Sequence, residues 1–190
     1  MSNDTDFTGK NILVVGGSSG IGNGISHGFR QRGGKVHVWG TRAKASDYAA
    51  EEGSDLSGLG YTCVDVGDAD AIEKAPMPFA KLDVLVLCQG TVVYKKGEFE
   101  RPGWDRVMAV NARGPWLVMR AMARAMIEAS APGSIVATSS VSAHLVDRAM
   151  GTYCASKAAL GMMVRVAACE WAPHGIRVNA VGPGVTETPM

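Results

Sequence analysis

The chain has 190 residues, 46% of them hydrophobic and 19% charged, with a formal net charge of +1. That is single-domain length with ample material for a core, and it offers no electrostatic case for a nucleic-acid or anionic-membrane partner. Four cysteines, Cys63, Cys88, Cys154 and Cys169, include no C-x-x-C pair and no His at ligand spacing; they read as reduced thiols of a cytoplasmic protein, not as disulfides or a metal site. Met1 to Thr8 is polar and lacks the basic, apolar and small-residue regions of a signal peptide. No stretch approaches the ~18 uninterrupted apolar residues that suggest a membrane span.

Asn11–Val15 predicts a first strand and Gly20–Arg32 the helix after it. Lys35–Trp39 predicts a second strand, with a short helix near Ala43–Glu52. Tyr61–Val64 follows, then a weak helix near Asp68–Lys74 that Pro76 and Pro78 end. Leu82–Cys88 leads into a long helix near Trp104–Glu128, Ser134–Thr138 into another near Thr152–Trp171, and Arg177–Val181 is the last strand. The runs are rich in β-branched residues and mostly apolar on both faces, as strands of a covered parallel sheet are. Their alternation with helices predicts right-handed βαβ units. The expected fold is α/β: a doubly wound parallel sheet (Rossmann type) of about six strands with helices on both faces, one domain over residues 1–190.

Val15-Gly16-Gly17-Ser18-Ser19-Gly20-Ile21-Gly22 joins the first strand to the first helix. Glycine lets the backbone approach a ligand closely, and a helix start offers unpaired N–H groups and a positive dipole end. Gly16, Ser18, Ser19, Gly20, Ile21 and Gly22 are therefore candidates to cradle a dinucleotide pyrophosphate. The spacing is G-x-x-x-G-x-G, so a tight turn without ligand is the alternative. NAD sites place a carboxylate at the end of the second strand; here Gly40-Thr41-Arg42 stands there. Arg42 can pair with a 2′-phosphate, which favours NADP(H) over NAD(H), the alternative being a solvated loop residue. Asp65, followed by Val66 after the third strand, is a candidate to bond the adenine; it could equally cap the next turn.

Tyr153 and Lys157 are four residues apart, one turn along the same helix face. A lysine ammonium beside a phenol favours the phenolate, and a tyrosine so placed can act as a general acid or base. Ser140 lies thirteen residues upstream. Alone, the Tyr/Lys spacing also fits an ordinary exposed pair on an amphipathic helix. His144 reads as a solvent-facing loop residue and Cys154 as packing.

With the glycine turn, the βα alternation and Ser140, Tyr153 and Lys157 in that order, the chain resembles the short-chain dehydrogenase/reductase family along essentially its whole length. The resemblance implies reversible hydride transfer between a nicotinamide cofactor and a ketone or secondary alcohol, 3-oxoacyl reduction being one option among many. It assigns Tyr153 as the proton donor and acceptor, and Ser140 as a hydrogen-bond donor to the same oxygen. Lys157 would tune Tyr153 and bind the nicotinamide ribose. Asn111, in Val110-Asn111-Ala112-Arg113-Gly114, would hold a water that relays protons to Lys157. Cys88 and Gly90 would floor the cofactor site. Pro183, Gly184, Val185 and Thr186, in the loop Asn179–Thr188, would border the nicotinamide. Pairing of long helices, as in the family, implies a homodimer or homotetramer.

Three departures stand out. Val15 replaces the family's usual Thr. Leu87-Cys88-Gln89-Gly90 replaces N-N-A-G, with Gln89 expected to compensate in part and the neighbouring loops expected to be less rigid. The chain ends at Pro189-Met190, where family members continue into lid helices and a last strand, so C-terminal truncation relative to the family is expected. Two other readings compete. An epimerase or dehydratase of the extended relatives calls for Gly where Asn23 stands. A non-catalytic cofactor-binding or oligomerising remnant takes the short length as its support.

Overall fold

The computed structural model describes residues 5–187. β1 (Asn11–Val15) is buried on both sides from Ile12 onward, because its alternate residues enter two different cores. Leu13 and Val15 join Leu85 and Leu87 of β4 (Val84–Leu87) on one face of the sheet; Ile12 and Val14 join Val84 and Val86 on the other. α1 (Gly20–Gln31) covers the second face through Ile25 and Phe29. The first face is covered by α4 (Gly114–Glu128), through Val118, Met119, Met122 and Met126, and by α5 (Gly151–Trp171), through Leu160, Val164 and Ala167. Each large aliphatic side chain buried in this way stabilises the fold by roughly 1.5–3 kcal/mol. This is why apolar runs without alternating polarity form strands here.

With β2 (Lys35–Gly40), β3 (Gly60–Cys63), β5 (Gly133–Thr138) and β6 (Ile176–Val181), the sheet has six strands in the order β3-β2-β1-β4-β5-β6. All five pairings are parallel. The order reverses between β1 and β4, and ligands of doubly wound sheets bind beyond the strand C-termini at that switch point. The glycine turn, Thr41-Arg42, Asp65, Cys88–Gly90, Ser140 and Gly182–Thr186 all follow strand C-termini at this end.

Two predicted helices require correction. The helix expected near Ala43–Glu52 is a single 3₁₀ turn, Ala45–Tyr48; its side chains serve the β2 end instead of a continuous apolar face. The long helix begins earlier, at Arg101, with Pro102 in its first turn where a missing N–H costs nothing. It is not continuous. α3 (Arg101–Met108) and α4 are joined by a π turn, Ala109–Arg113, whose Gly114 N–H donates five residues back to the Ala109 carbonyl. Pro115 has no N–H to offer the carbonyl four residues back, that of Asn111. The widened turn therefore falls on a residue nominated for the site. α2 (Ala69–Lys74) starts where expected, capped by the Asp68 carboxylate accepting the Asp70 N–H at 2.9 Å.

Among the described residues, no helix is long and apolar enough to cross a membrane.

Candidate active site

The glycine turn packs against the end of β4. Gly16 has φ +73°, and a Cβ there would lie 2.6 Å from the Gln89 N and 2.7 Å from its Cα. Only glycine lets the two turns meet. Replacing Gly16 with Ala should therefore cost both stability and cofactor affinity, read by thermal melting and by a nucleotide titration; unchanged affinity would remove the turn from the binding site. Ser19 precedes α1 without a side-chain cap bond, and Gly20 donates to the Gly53 carbonyl at 3.2 Å. The Ile21 and Gly22 N–H groups carry no protein hydrogen bond among the described residues. They remain donors at the positive end of α1, which suits a pyrophosphate.

At the end of β2, the Tyr48 hydroxyl accepts from the Thr41 and Arg42 N–H groups at 3.1 and 3.2 Å. Burial pushes this phenol's pKa up, but hydrogen bonds, that with Ser18 first among them, hold it below the ordinary value. The Arg42 guanidinium lies over the Tyr48 ring, 4.6 Å from its centroid, donates to the Asp47 carbonyl and pairs with Glu51. Nothing in the sequence marks Tyr48 and Glu51 for these roles, since the segment that carries them predicts only a short helix. At the end of β3, Asp65 accepts from Gly67 N–H at 2.8 Å and from Arg106 at 3.2 Å, so the turn-capping role left open for it is realised. Val66 is buried beside it, its carbonyl against Gly114.

The nominated catalytic groups converge where β4, β5 and α5 meet. Lys157 is 3% exposed and donates to the Thr138 carbonyl at 2.9 Å. Burial pushes its pKa down to about 8, against a smaller upward pull from Cys88. Its Nζ lies 5.7 Å from the centroid of the Tyr153 ring. The position a Gly90 Cβ would take is 3.7 Å from Lys157 Nζ and 3.8 Å from Asn111 Oδ1. Glycine thus keeps open a small space that both polar atoms face. Asn111 is fully buried; its Oδ1 accepts from Thr91 N–H at 2.8 Å, and its Nδ2 donates to the Thr91 carbonyl at 2.9 Å and to Ser156 Oγ at 3.2 Å. One lone pair of Oδ1 remains for a water.

Ser140 opens a 3₁₀ turn, Val141–Ala143, its Oγ accepting from Ser142 N–H at 3.1 Å. That leaves its O–H hydrogen to donate elsewhere. The loop after β6 runs beside it: the Pro183 carbonyl accepts from Val141 N–H at 3.0 Å, and Thr186 Oγ1 donates to the Gly184 carbonyl at 3.3 Å. Val185 is exposed, and Thr188 lies outside the described residues. His144 is exposed. Cys88 Sγ and Thr138 Oγ1 are 3.1 Å apart, a bridge between the ends of β4 and β5. Burial raises the Cys88 pKa, against the Thr138 bond and the Lys157 charge. The compensation expected of Gln89 is not made by its amide oxygen, which is buried without a hydrogen-bond partner among the described residues; the Cys88–Thr138 contact does the cross-strand tying instead.

Comparison with known proteins agrees with this frame. The model of the short chain dehydrogenase family matches residues 10–190. The L-xylulose reductase of Homo sapiens is 34% identical over 186 residues, covering 97% of this chain and 75% of that protein. A structure assigned as a short-chain alcohol dehydrogenase from Sinorhizobium meliloti 1021 superposes with a TM-score of 0.85 at 29% identity, over 98% of this chain and 76% of that one. Another, assigned as an NAD(P)-dependent gluconate 5-dehydrogenase from Beutenbergia cavernae with NADP bound at low occupancy, gives 0.82 at 30% identity, over 97% and 75%. Fold, strand order and family model together place this chain in the short-chain dehydrogenase/reductase family of oxidoreductase enzymes.

Proposed function

We propose that the chain catalyses reversible hydride transfer between NADP(H) and a small ketone or secondary alcohol, with Tyr153 moving the proton. The observation that carries this reading is the buried Lys157 ammonium beside the Tyr153 ring, with Gly90 opening a space toward it and toward Asn111. The cofactor, when bound, supplies or takes up the hydride, and the protein orients it.

In reduction, the Tyr153 O–H donates its proton to the substrate oxygen as charge builds there, and Ser140 donates a second hydrogen bond to that oxygen. Lys157 has one N–H on the Thr138 carbonyl and two left, enough to hold a ribose hydroxyl and a water. A water between Lys157 and Asn111 returns a proton to Tyr153 from solvent. In oxidation the same groups run in reverse. Ile21 and Gly22 N–H groups would hold the pyrophosphate, and the Pro183–Thr186 loop would border the nicotinamide. Small polyhydroxylated ketones and the matching secondary alcohols are the substrate class we favour, because the similar proteins act by name on L-xylulose, a ketone, and on gluconate, a polyol acid. A homodimer through α4 and α5 is favoured by Met162 and Val166, exposed on α5, beside a groove of about 640 Å³ lined by Met108, Trp116 and Met163.

The preference for NADP(H) rests on Arg42 at a strand end without a carboxylate. A charge-assisted bond to a 2′-phosphate is worth roughly 1.5–3 kcal/mol, so Arg42→Ala should weaken NADPH binding about tenfold or more and leave NADH binding nearly unchanged. Quenching of tryptophan fluorescence by each nucleotide measures this. Equal losses for both would contradict the assignment.

A further inference from the structure

Glu98 is a fully buried carboxyl that the chemistry above does not use. It lies in the loop after β4, on a 3₁₀ turn, Gly97–Phe99, far in sequence from the residues it touches. Its Oε2 accepts the backbone N–H of Tyr153 at 2.6 Å, and its backbone carbonyl accepts from Thr152 Oγ1 at 2.7 Å. Its Oε1 is buried without a hydrogen-bond partner among the described residues. A carboxyl held dry in this way is costly unless its bonds matter to the fold or the site.

The helix that carries Tyr153 needs such a partner. Met150 precedes α5 without a side-chain cap bond, and no acidic residue stands in the first turn. Glu98 supplies that missing acceptor from another element. The Tyr153 carbonyl is held as well: Ser156 Oγ donates to it at 2.7 Å and itself accepts from Asn111. Both polar groups of the Tyr153 peptide are thus gripped by buried side chains. The loop that provides one grip is itself tied to the other, since Thr91 is bonded to Asn111 at both its N–H and its carbonyl. The segment between is under tension: Lys95 and Lys96 have φ of 58° and 63°, a left-handed conformation that costs non-glycine residues roughly 1–2 kcal/mol each and persists only where surroundings impose it.

We infer that Glu98 is a positioning residue for Tyr153, fixing the height and direction of the first turn of α5 so that the phenol meets the substrate oxygen. The inference rests on Tyr153 being the proton donor. A misplacement of about 1 Å in a reacting group can cost about a hundredfold in rate, whereas cofactor groups bound elsewhere do not feel it.

Glu98→Ala, Glu98→Gln and Thr152→Val are compared with wild type and with Tyr153→Phe, by turnover per folded molecule and by NADPH titration. Glu98→Ala should lower kcat between about tenfold and a hundredfold, with NADPH affinity within about twofold of wild type. Glu98→Gln should recover most of the loss, because its amide oxygen still accepts the Tyr153 N–H. A Glu98→Ala protein that melts earlier but turns over at the wild-type rate when folded would overturn the inference, as would a Gln variant no better than Ala. If the Ala variant does not fold, Thr152→Val decides: several-fold lower kcat at unchanged NADPH affinity supports positioning, and unchanged kcat overturns it. An active Tyr153→Phe variant would instead sink the underlying reading of Tyr153, and is told apart by that result alone.

Discussion

Replacing Tyr153 with Phe should lower turnover about a thousandfold and leave NADPH binding intact. The substitution removes one oxygen. The ring, its 5.7 Å approach to Lys157 Nζ, the Glu98 bond to its backbone N–H and the Ser156 bond to its carbonyl are all retained. What disappears is the only proton donor we assign to the substrate oxygen, and general acid catalysis contributes typically ~10²–10⁴-fold. Ser140 still offers a hydrogen bond but no route for a proton to solvent. Steady-state kinetics with a ketone and NADPH, beside a fluorescence titration, measure both halves of the statement. Activity near wild type would remove Tyr153 from its role, and loss of nucleotide binding would mean the phenol holds the cofactor and does not move a proton.

Lys157→Met should abolish turnover and yet make the cofactor-free protein more stable at neutral pH. Burial holds the Lys157 ammonium at a pKa of about 8, below its ordinary 10.5. Between those values the unfolded chain binds more protons than the folded one, so stability gained from this group rises with pH through that window and is absent below it. At pH 7 the buried charge costs roughly 3 kcal/mol. Methionine fills similar space without charge, and loss of the bond to the Thr138 carbonyl takes back about 1 kcal/mol. The net gain of roughly 2 kcal/mol corresponds to a rise in Tm of roughly 4–8 °C for a chain of this size. Melts from pH 7 to 10.5 should show the wild-type stability climbing relative to the variant. A variant that melts lower at pH 7 would contradict the view that function keeps a costly charge in place.

Much of the fold is legible in the chain because it is written locally. Each of the six apolar runs became a strand within two residues of its expected bounds, and burial of β1 and β4 on both faces explains why no alternation of polar residues marks those two. Tyr153, Lys157 and the glycine turn are legible too, being short-range patterns. What escaped depends on partners distant in sequence. Glu98 sits in Gly-Glu-Phe-Glu between lysines and an arginine, and only the fold brings it to Tyr153, 55 residues away. Glu51 gives no sign that it holds Arg42, because the helix expected there reduces to one turn. The break at Asn111 did carry a signal, the Gly114-Pro115 pair.

The most direct test uses NADPH deuterated at the transferable position of the nicotinamide, the purified chain, and a panel of small hydroxyketones. The account predicts that deuterium appears on the carbinol carbon of the product, one for each cofactor oxidised, and that Tyr153→Phe slows the transfer about a thousandfold. A chain that binds NADPH tightly but delivers no deuterium to any ketone in the panel would contradict it, and would favour a protein that holds the cofactor without using it.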